Sequence, residues 1–112
     1  MQEQPVQHRN DALTCEFDAE TGVATLTLAM PGKVNIINDL YGQGLHDALT
    51  WAKGRAGLRG IIIGSAHRDF CAGADIDKVW RMRDPAQVFA ATTVIAKIYR
   101  AIETCGVPVV AA

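Results

Sequence analysis

The chain has 112 residues, of which 49% are hydrophobic and 21% charged, and its net charge at pH 7 is -1. This composition is typical of one small globular domain and excludes a disordered chain. The near-neutral charge argues against a nucleic-acid partner, and no apolar run reaches the roughly 18 residues that a membrane span needs.

The cysteines and histidines show no metal-ligand spacing. The three cysteines, Cys15, Cys71 and Cys105, are odd in number and far apart, and no Cys-x-x-Cys pair occurs. We therefore expect neither a disulfide framework nor a metal site. The first residues lack the basic and apolar stretches of a signal peptide, so the expected location is the cytoplasm.

The first half of the chain predicts a hairpin followed by a helix. Residues 1–11 are polar and are expected to be a loose lead-in to a domain that spans residues 12–112. Alternating apolar residues predict strands at 13–18 and 23–28, joined by a loop of about four residues. A helix is predicted over residues 39–53, with Asn38 or Asp39 as its cap.

The second half predicts a strand, two helices and a further strand. Three isoleucines at 61–63, between glycines, predict a short strand that is buried on both faces, as in a parallel sheet. A short helix is expected over residues 75–82 and a longer one from Asp84 to about residue 104. The longer helix should bury a stripe of residues at helical spacing: Val88, Thr92, Ile95, Tyr99 and Ile102. Residues 107–112 predict another buried strand, and the alternation of strands and helices indicates an α/β fold.

The turn between the isoleucine strand and the short helix carries the strongest chemical signal. Gly73 lacks a Cβ, so the backbone there can take a positive φ or approach a ligand closely. Asp75 is a natural N-cap, which would place the unpaired amides near Ala74 at the start of a helix. Such amides suit an oxyanion or a phosphate. An ordinary strand-to-helix turn with a glycine and a cap would explain the same residues.

Three segments resemble the crotonase (enoyl-CoA hydratase/isomerase) superfamily. Residues 70–76, Phe-Cys-Ala-Gly-Ala-Asp-Ile, are similar to its Phe-x-Ala-Gly-Ala-Asp-Ile signature, and residues 31–35, Pro-Gly-Lys-Val-Asn, to its Pro-x-x-x-Asn segment. Residues 106–112 resemble the strand before the family's second active-site loop. The resemblance covers residues from about 12 onward, and the Gly-Lys-Val-Asn part is similar to the hydratase part of a multifunctional fatty-acid oxidation protein. It implies an α/β, crotonase-like spiral of ββα units, truncated after its N-terminal part.

The resemblance also implies a function. It predicts the hydration of trans-2-enoyl-CoA thioesters in fatty-acid β-oxidation, with CoA as part of the substrate and no permanently bound cofactor. The Ala74 N–H would be the first oxyanion-hole donor. The residues expected to border CoA are Ala72, Gly73, Asp75 and Ile76, together with Lys33 and Val34 along the pantetheine channel. Family members usually assemble as trimers or hexamers, or within a multifunctional complex.

One departure from the family pattern affects phosphate binding. Many relatives have a lysine directly after the signature isoleucine, where this chain has Asp77. Lys78, Arg81 or Arg68 are candidate replacements, although solvated surface charge is the simpler interpretation.

Other interpretations of the same residues stay open. A nucleophilic Cys71 would need a base that the sequence does not place beside it. Capping by Asp75 and exposure of Asp77 are simpler than a carboxylate pair. An isomerase, another CoA-thioester enzyme or a non-catalytic acyl-CoA-binding or assembly module are the alternative functions.

The sequence ends inside an apolar strand, which is typical of an N-terminal fragment. The family's second oxyanion donor and catalytic carboxylates would then lie beyond residue 112. The 112 residues alone are therefore predicted to be inactive.

Overall fold

The computed structural model describes residues 6–112, with the side chains of Val6 and Val79 excepted. The described residues form one five-stranded sheet, in the order β1-β2-β3-β4-β5, and three helices. The elements are β1 (Val6–Arg9), β2 (Leu13–Asp18), β3 (Val23–Leu28), α1 (Asp39–Lys53), β4 (Gly60–Ser65), α2 (Ile76–Arg81), α3 (Pro85–Glu103) and β5 (Val109–Ala111). Strands β1 to β3 are antiparallel neighbours, whereas β3, β4 and β5 run parallel. The predicted α/β fold class is confirmed, with β1 added at its start.

Strand β1 corrects the prediction of a loose lead-in over residues 1–11, of which residues 1–5 lie outside the described part. It pairs antiparallel with β2 along the edge of the sheet, and this pairing uses backbone groups that any sequence carries. The His8 ring also stacks on Trp51 of α1, with 5.8 Å between ring centroids. Arg55 covers the same indole, its guanidinium carbon 4.9 Å from the ring centroid. Backbone pairing and this stack therefore order a segment whose polar side chains predict no strand.

The hairpin between β2 and β3 has the predicted boundaries. Within its loop, the Asp18 carboxylate accepts the Glu20 N–H at 2.9 Å, and the Asp18 carbonyl accepts the Gly22 N–H at 2.7 Å. Gly22 has a φ of +74°, and a Cβ there would lie 2.5 Å from the Gly57 carbonyl oxygen. The Gly22 carbonyl in turn accepts the Arg59 N–H at 2.7 Å, which helps to set the register of β4 beside β3.

Helix α1 has the predicted bounds and covers one face of the sheet. Asn38 is its N-cap, and the Asn38 Oδ1 accepts the Tyr41 N–H at 3.0 Å. The core lies between the two layers and consists mainly of Leu13, Cys15, Phe17, Ala24, Leu26, Leu28, Tyr41, Leu45, Ala48, Leu49, Ala52, Ile61 and Ile63. Cys15 packs in this core as a small hydrophobe, and its burial raises the pKa of the thiol to about 11.

The isoleucine strand β4 is buried on one face only, which corrects the expectation of burial on both. Ile61 and Ile63 are 1% and 6% exposed, whereas Ile62 is 37% exposed. Successive side chains of a strand point to opposite faces, and α1 covers only one of them. Val110, the partner of Ile62 in β5, is also exposed. The predicted buried strand over 107–112 is shorter, at Val109–Ala111, and it is not buried: Val109 is half-buried, and Val110 and Ala111 are exposed.

Helix α3 begins after its N-cap Asp84, as predicted, but its predicted buried stripe is wrong. Ile98 is its only buried residue among those described, and Val88 and Tyr99 are exposed. The helix packs against α1 near Ile98, whose Cδ1 approaches Gly42. Neither α3 nor any other helix within residues 6–112 is long and apolar enough to cross a membrane.

Two glycines inside α1 allow close packing. A Cβ at Gly44 would lie 2.5 Å from the Cβ of Ala12, which is fully buried, and 2.9 Å from the Asn10 Oδ1. A Cβ at Gly42 would meet only the end of the Ile98 side chain, at 2.9 Å. Gly44 therefore permits contact between α1 and the β1–β2 turn, at a cost in helix propensity of roughly 1 kcal/mol.

We expect Gly44→Ala to destabilise the protein by about 1–3 kcal/mol, because the overpacked methyl group cannot be accommodated without moving the backbone. Urea denaturation measures this change. Gly42→Ala is the matched control, since the Ile98 side chain can rotate away, and its gain in helix propensity should offset most of the contact. A Gly44→Ala protein as stable as Gly42→Ala would contradict the packing role of Gly44.

Candidate active site

The turn between β4 and α2 is held beside the segment that precedes α1. The Ile37 N–H donates to the Gly73 carbonyl at 2.8 Å, and the Asp75 N–H donates to the Ile37 carbonyl at 3.3 Å. These bonds form a parallel bridge between Ile37 and Ala74. In such a bridge the backbone N–H and carbonyl of the residue between the two bonded positions, here Ala74, point away from the partner segment. The Ala74 N–H therefore faces the side opposite Ile37. Within residues 6–112 this N–H has no hydrogen-bond acceptor.

Gly73 has the backbone conformation that the sequence suggested. Its φ is +103°, which side-chain-bearing residues rarely adopt, and a Cβ there would meet no atom within 4 Å. Space is therefore not the reason for a glycine at this position. The backbone dihedral that orients the next peptide group, and with it the Ala74 N–H, is the reason.

Ala74 lies on the wall of a groove of about 910 Å³. The groove runs between the start of α1, the turn, α2 and the first half of α3, and most of its lining is apolar. Its lining residues are Ile37, Asn38, Asp39, Ala74, Asp75, Lys78, Arg81, Met82, Gln87, Val88, Ala90, Ala91, Thr92, Val94, Ile95 and Ala96. A free amide at the edge of an apolar groove can bind a carbonyl oxygen that gains negative charge.

Charged groups of α1 and α2 meet beside this amide. The Asp75 side chain caps α2 by accepting the Lys78 N–H at 3.2 Å, as the sequence predicts. The Lys78 ammonium pairs with the Asp39 carboxylate at 2.9 Å, and both side chains are well exposed. This ion pair is therefore screened by solvent and adds little stability. Of the three candidate phosphate partners, Lys78 and Arg81 line the groove and Arg68 does not.

The other predicted site residues occupy different places. Ala72 is fixed to the upstream loop, its N–H donating to the Asn35 carbonyl at 2.8 Å. Lys33 is exposed and Val34 half-buried on that same loop, and neither lines the groove. Ile76 is 78% exposed at the start of α2 and also lies outside the groove lining. The structure thus brings residues 72–75 together with the loop that carries Lys33 and Val34, and it places Ala74 and Asp75 in the groove.

Asn35 is the residue whose importance sequence reasoning missed, because the sequence shows it only as the last position of a motif. It is fully buried, the one polar residue that is buried among those described. The Asn35 Oδ1 accepts the Met30 N–H at 3.1 Å, while its Nδ2 donates to the Ser65 Oγ at 2.8 Å and to the Phe70 carbonyl at 2.9 Å. An asparagine between Val34 and Ile36, in a loop that must pack, is the local signal that points to it.

Cys71 sits beside the turn, half-buried against the core. The histidine nearest to it in sequence, His67, places its Nε2 2.8 Å from the Met30 carbonyl oxygen. That ring nitrogen is engaged by the backbone, and within residues 6–112 no hydrogen bond joins the His67 ring to the Cys71 thiol. The arrangement favours the backbone amide of Ala74, rather than Cys71, as the chemical group of this turn.

A family model and two known proteins match the sequence of this chain. The family model described as "Enoyl-CoA hydratase/isomerase" matches residues 18–112. The fatty acid oxidation complex subunit alpha of Shewanella loihica is 32% identical over 95 residues, which are 83% of this chain and 14% of that protein. A (7aS)-7a-methyl-1,5-dioxo-2,3,5,6,7,7a-hexahydro-1H-indene-carboxyl-CoA hydrolase of Mycobacterium tuberculosis is 32% identical over 93 residues, 83% of this chain and 37% of that protein.

Solved structures give the same result. The crystal structure of enoyl-CoA hydratase from Thermoplasma volcanium superposes with a TM-score of 0.80 at 26% identity, covering 91% of this chain and 40% of that one. This chain therefore spans well under half the length of the relatives that it matches. Because the family model covers most of the chain and the fold agrees, the chain belongs to the enoyl-CoA hydratase/isomerase (crotonase) family.

Proposed function

We propose that the protein carrying this sequence acts on acyl-CoA thioesters and that the Ala74 N–H donates a hydrogen bond to the thioester carbonyl oxygen. The observation that carries this proposal is the unpaired Ala74 amide on the wall of an apolar groove. The carbonyl oxygen gains negative charge when the α-carbon loses a proton or when water adds to a conjugated double bond. An amide already aimed at that oxygen stabilises the charged state more than the ground state.

Within this class, hydration of trans-2-enoyl-CoA is the reaction that we favour. Water adds a hydroxyl group to the β-carbon and a proton to the α-carbon, passing through an enolate-like state at the thioester. The name of the Shewanella loihica relative, a fatty acid oxidation complex subunit, supports a place in fatty-acid β-oxidation. CoA would enter as part of the substrate, bordered by Ala72, Gly73, Asp75 and Ile76, and by Lys33 and Val34.

The proposal also includes a cellular location, an assembly state and two alternative functions. A cytoplasmic location is consistent with three free cysteines, and a homo-oligomer or a multifunctional complex is the expected assembly. An isomerase or another CoA-thioester enzyme is the near alternative, and the hydrolase from Mycobacterium tuberculosis shows by its name that relatives of similar identity can differ in reaction. A non-catalytic acyl-CoA-binding or assembly module is the alternative of another class.

A substrate panel tests the proposal. We expect the protein that carries this sequence, as its gene encodes it, to hydrate crotonyl-CoA, measured as loss of the enoyl-thioester absorbance, faster than it isomerises a 3-enoyl-CoA. Calorimetric titration with a saturated acyl-CoA, which cannot be hydrated, is the parallel binding measurement. Isomerisation without hydration would favour the near alternative. Binding without turnover of either substrate would favour the module and contradict an enzyme.

A further inference from the structure

We infer that Asn35 is a positioning residue that holds the Ala74 N–H toward the groove. This inference rests on the proposed function for its effect on rate, but its structural part can be measured without activity. Asn35 itself does not line the groove, so it acts through the turn rather than on a substrate.

The side chain of Asn35 joins three segments that are distant in sequence. The Asn35 Oδ1 accepts the N–H of Met30, just after β3. The Asn35 Nδ2 donates one hydrogen to the Ser65 Oγ, at the end of β4, and the other to the Phe70 carbonyl, at the entry to the turn. A side-chain amide has one carbonyl oxygen and two N–H donors, and Asn35 uses each of them. Among the side chains of this size, only an uncharged amide supplies that combination, and Asn35 is fully buried.

The backbone of the Asn35 loop then holds the turn residue by residue. The Asn35 carbonyl accepts the Ala72 N–H, and Ile37 bonds both the Gly73 carbonyl and the Asp75 N–H. Alternate groups of the turn therefore face the loop, and the remaining Ala74 N–H must face away from it. Because Asn35 and Ile37 lie on one short segment, the side-chain anchors of Asn35 fix the position of the whole bridge.

Ser65 extends the anchor along the loop that leads to the turn. The Ser65 Oγ accepts from the Asn35 Nδ2 and from the His67 N–H at 3.0 Å, and it donates to the Asp69 carbonyl at 2.9 Å. Loss of the Asn35 side chain would leave the Met30 N–H and the Phe70 carbonyl without their partner and remove one bond from Ser65. The loop would then be free to move relative to β3, and the Ala74 amide would move with it.

The first measurement is the backbone amide NMR spectrum of the protein that carries this sequence, compared with Asn35→Ala. We expect the amides of residues 72–75 to shift or broaden and to exchange faster with solvent. Asn10→Ala is the matched control, because Asn10 also joins three backbone groups, accepting from Ala12 and Leu13 and donating to Gly44. It lies at the β1–β2 turn, outside the groove lining, so the amides of 72–75 should be unchanged.

The second measurement is turnover of crotonyl-CoA. We expect Asn35→Ala to lower kcat by about 10- to 100-fold, the scale of a small misplacement of a catalytic group, with KM changed little. Asn10→Ala should keep normal turnover while lowering the melting temperature. A conservative variant, Asn35→Asp, retains the acceptor for Met30 but sets a charged oxygen against the Phe70 carbonyl. Protonation restores a donor there, so the ratio of its kcat to that of the wild type should rise as pH falls.

The titratable side chains of the same loop, His67 and Asp69, are present in both proteins, so the pH dependence of the wild-type kcat is the reference for that ratio. Unchanged amide signals for residues 72–75 in a folded Asn35→Ala protein would overturn the inference. So would equal losses of kcat in Asn35→Ala and Asn10→Ala. A wild-type protein that turns over no thioester would instead refute the proposed function, and the amide signals would still decide whether Asn35 holds the turn.

Discussion

Replacing Ala74 with proline is expected to lower the rate of thioester hydration at least a hundredfold, roughly the effect of losing one oxyanion donor. Proline removes the N–H and keeps the residue in the chain. The Ala74 N–H has no other partner in the described structure, so its loss breaks no internal hydrogen bond. The two bonds of the bridge to Ile37 belong to Gly73 and Asp75 and are not removed by this substitution. Ala74→Pro should therefore lower the rate while the fold stays intact.

Two controls make this experiment specific. Ala74→Gly keeps the N–H and should retain most of the activity. Cys71→Ala should show near-normal hydration, because a backbone donor does not depend on that thiol, whereas a nucleophilic cysteine would lose nearly all its rate. Circular dichroism must show an intact fold for each variant before rates are compared. A natively folded but inactive Cys71→Ala protein would overturn the assignment to the Ala74 amide.

Gly73→Val is expected to have the second largest effect. Valine at a φ of +103° is strained by about 1–3 kcal/mol, although its side chain would meet no atom within 4 Å of the Cβ. The turn should relieve the strain by a change in φ at residue 73, which reorients the peptide group that follows and turns the Ala74 N–H away from the groove. We expect turnover to fall about 100-fold, as for a misplaced catalytic group, while most of the fold's stability is kept.

Gly57→Val is the matched control for this substitution. Gly57 also has a positive φ, +83°, and a Cβ there would likewise meet no atom within 4 Å. It lies outside the groove lining. The two valines should therefore cost similar stability in thermal unfolding, but only Gly73→Val should lose rate. If both variants lose rate in proportion to their melting temperatures, Gly73 has a structural role alone.

Local sequence signals predicted much of the fold. The bounds of β2, β3 and α1 agree with the structure because alternation, the Asp18–Gly22 turn and the Asn38 cap all act within a few residues. The capping role of Asp75 and the start of α3 at Asp84 and Pro85 are confirmed for the same reason. The predictions that were wrong concern burial, which depends on tertiary packing. Whether Ile62 or Val88 is buried depends on what packs against it, and periodicity alone does not contain that information.

The features of the candidate site likewise fall into those set by the local chain and those set by contacts between distant segments. The glycine at 73 and the helix start after Asp75 could be predicted, because each is a property of the local chain. The direction of the Ala74 N–H could not, since the bridge to Ile37 determines it. Asn35 escaped notice because its partners Ser65 and Phe70 lie 30 and 35 positions away. Contacts between residues so far apart along the chain produce no periodic pattern in a single sequence.

Those same separations have a consequence for the order in which the chain assembles. Helix α1 and the β2–β3 hairpin can form from neighbouring residues, but each bond of the Asn35 side chain to Ser65 and Phe70 closes a loop of about 30 residues. The entropic cost of closing such a loop is offset only once β4 has paired with β3 and brought the two ends together. We therefore expect the Ala74 N–H to acquire its orientation among the last events of folding, and a nascent chain that ends shortly after α1 to lack this orientation.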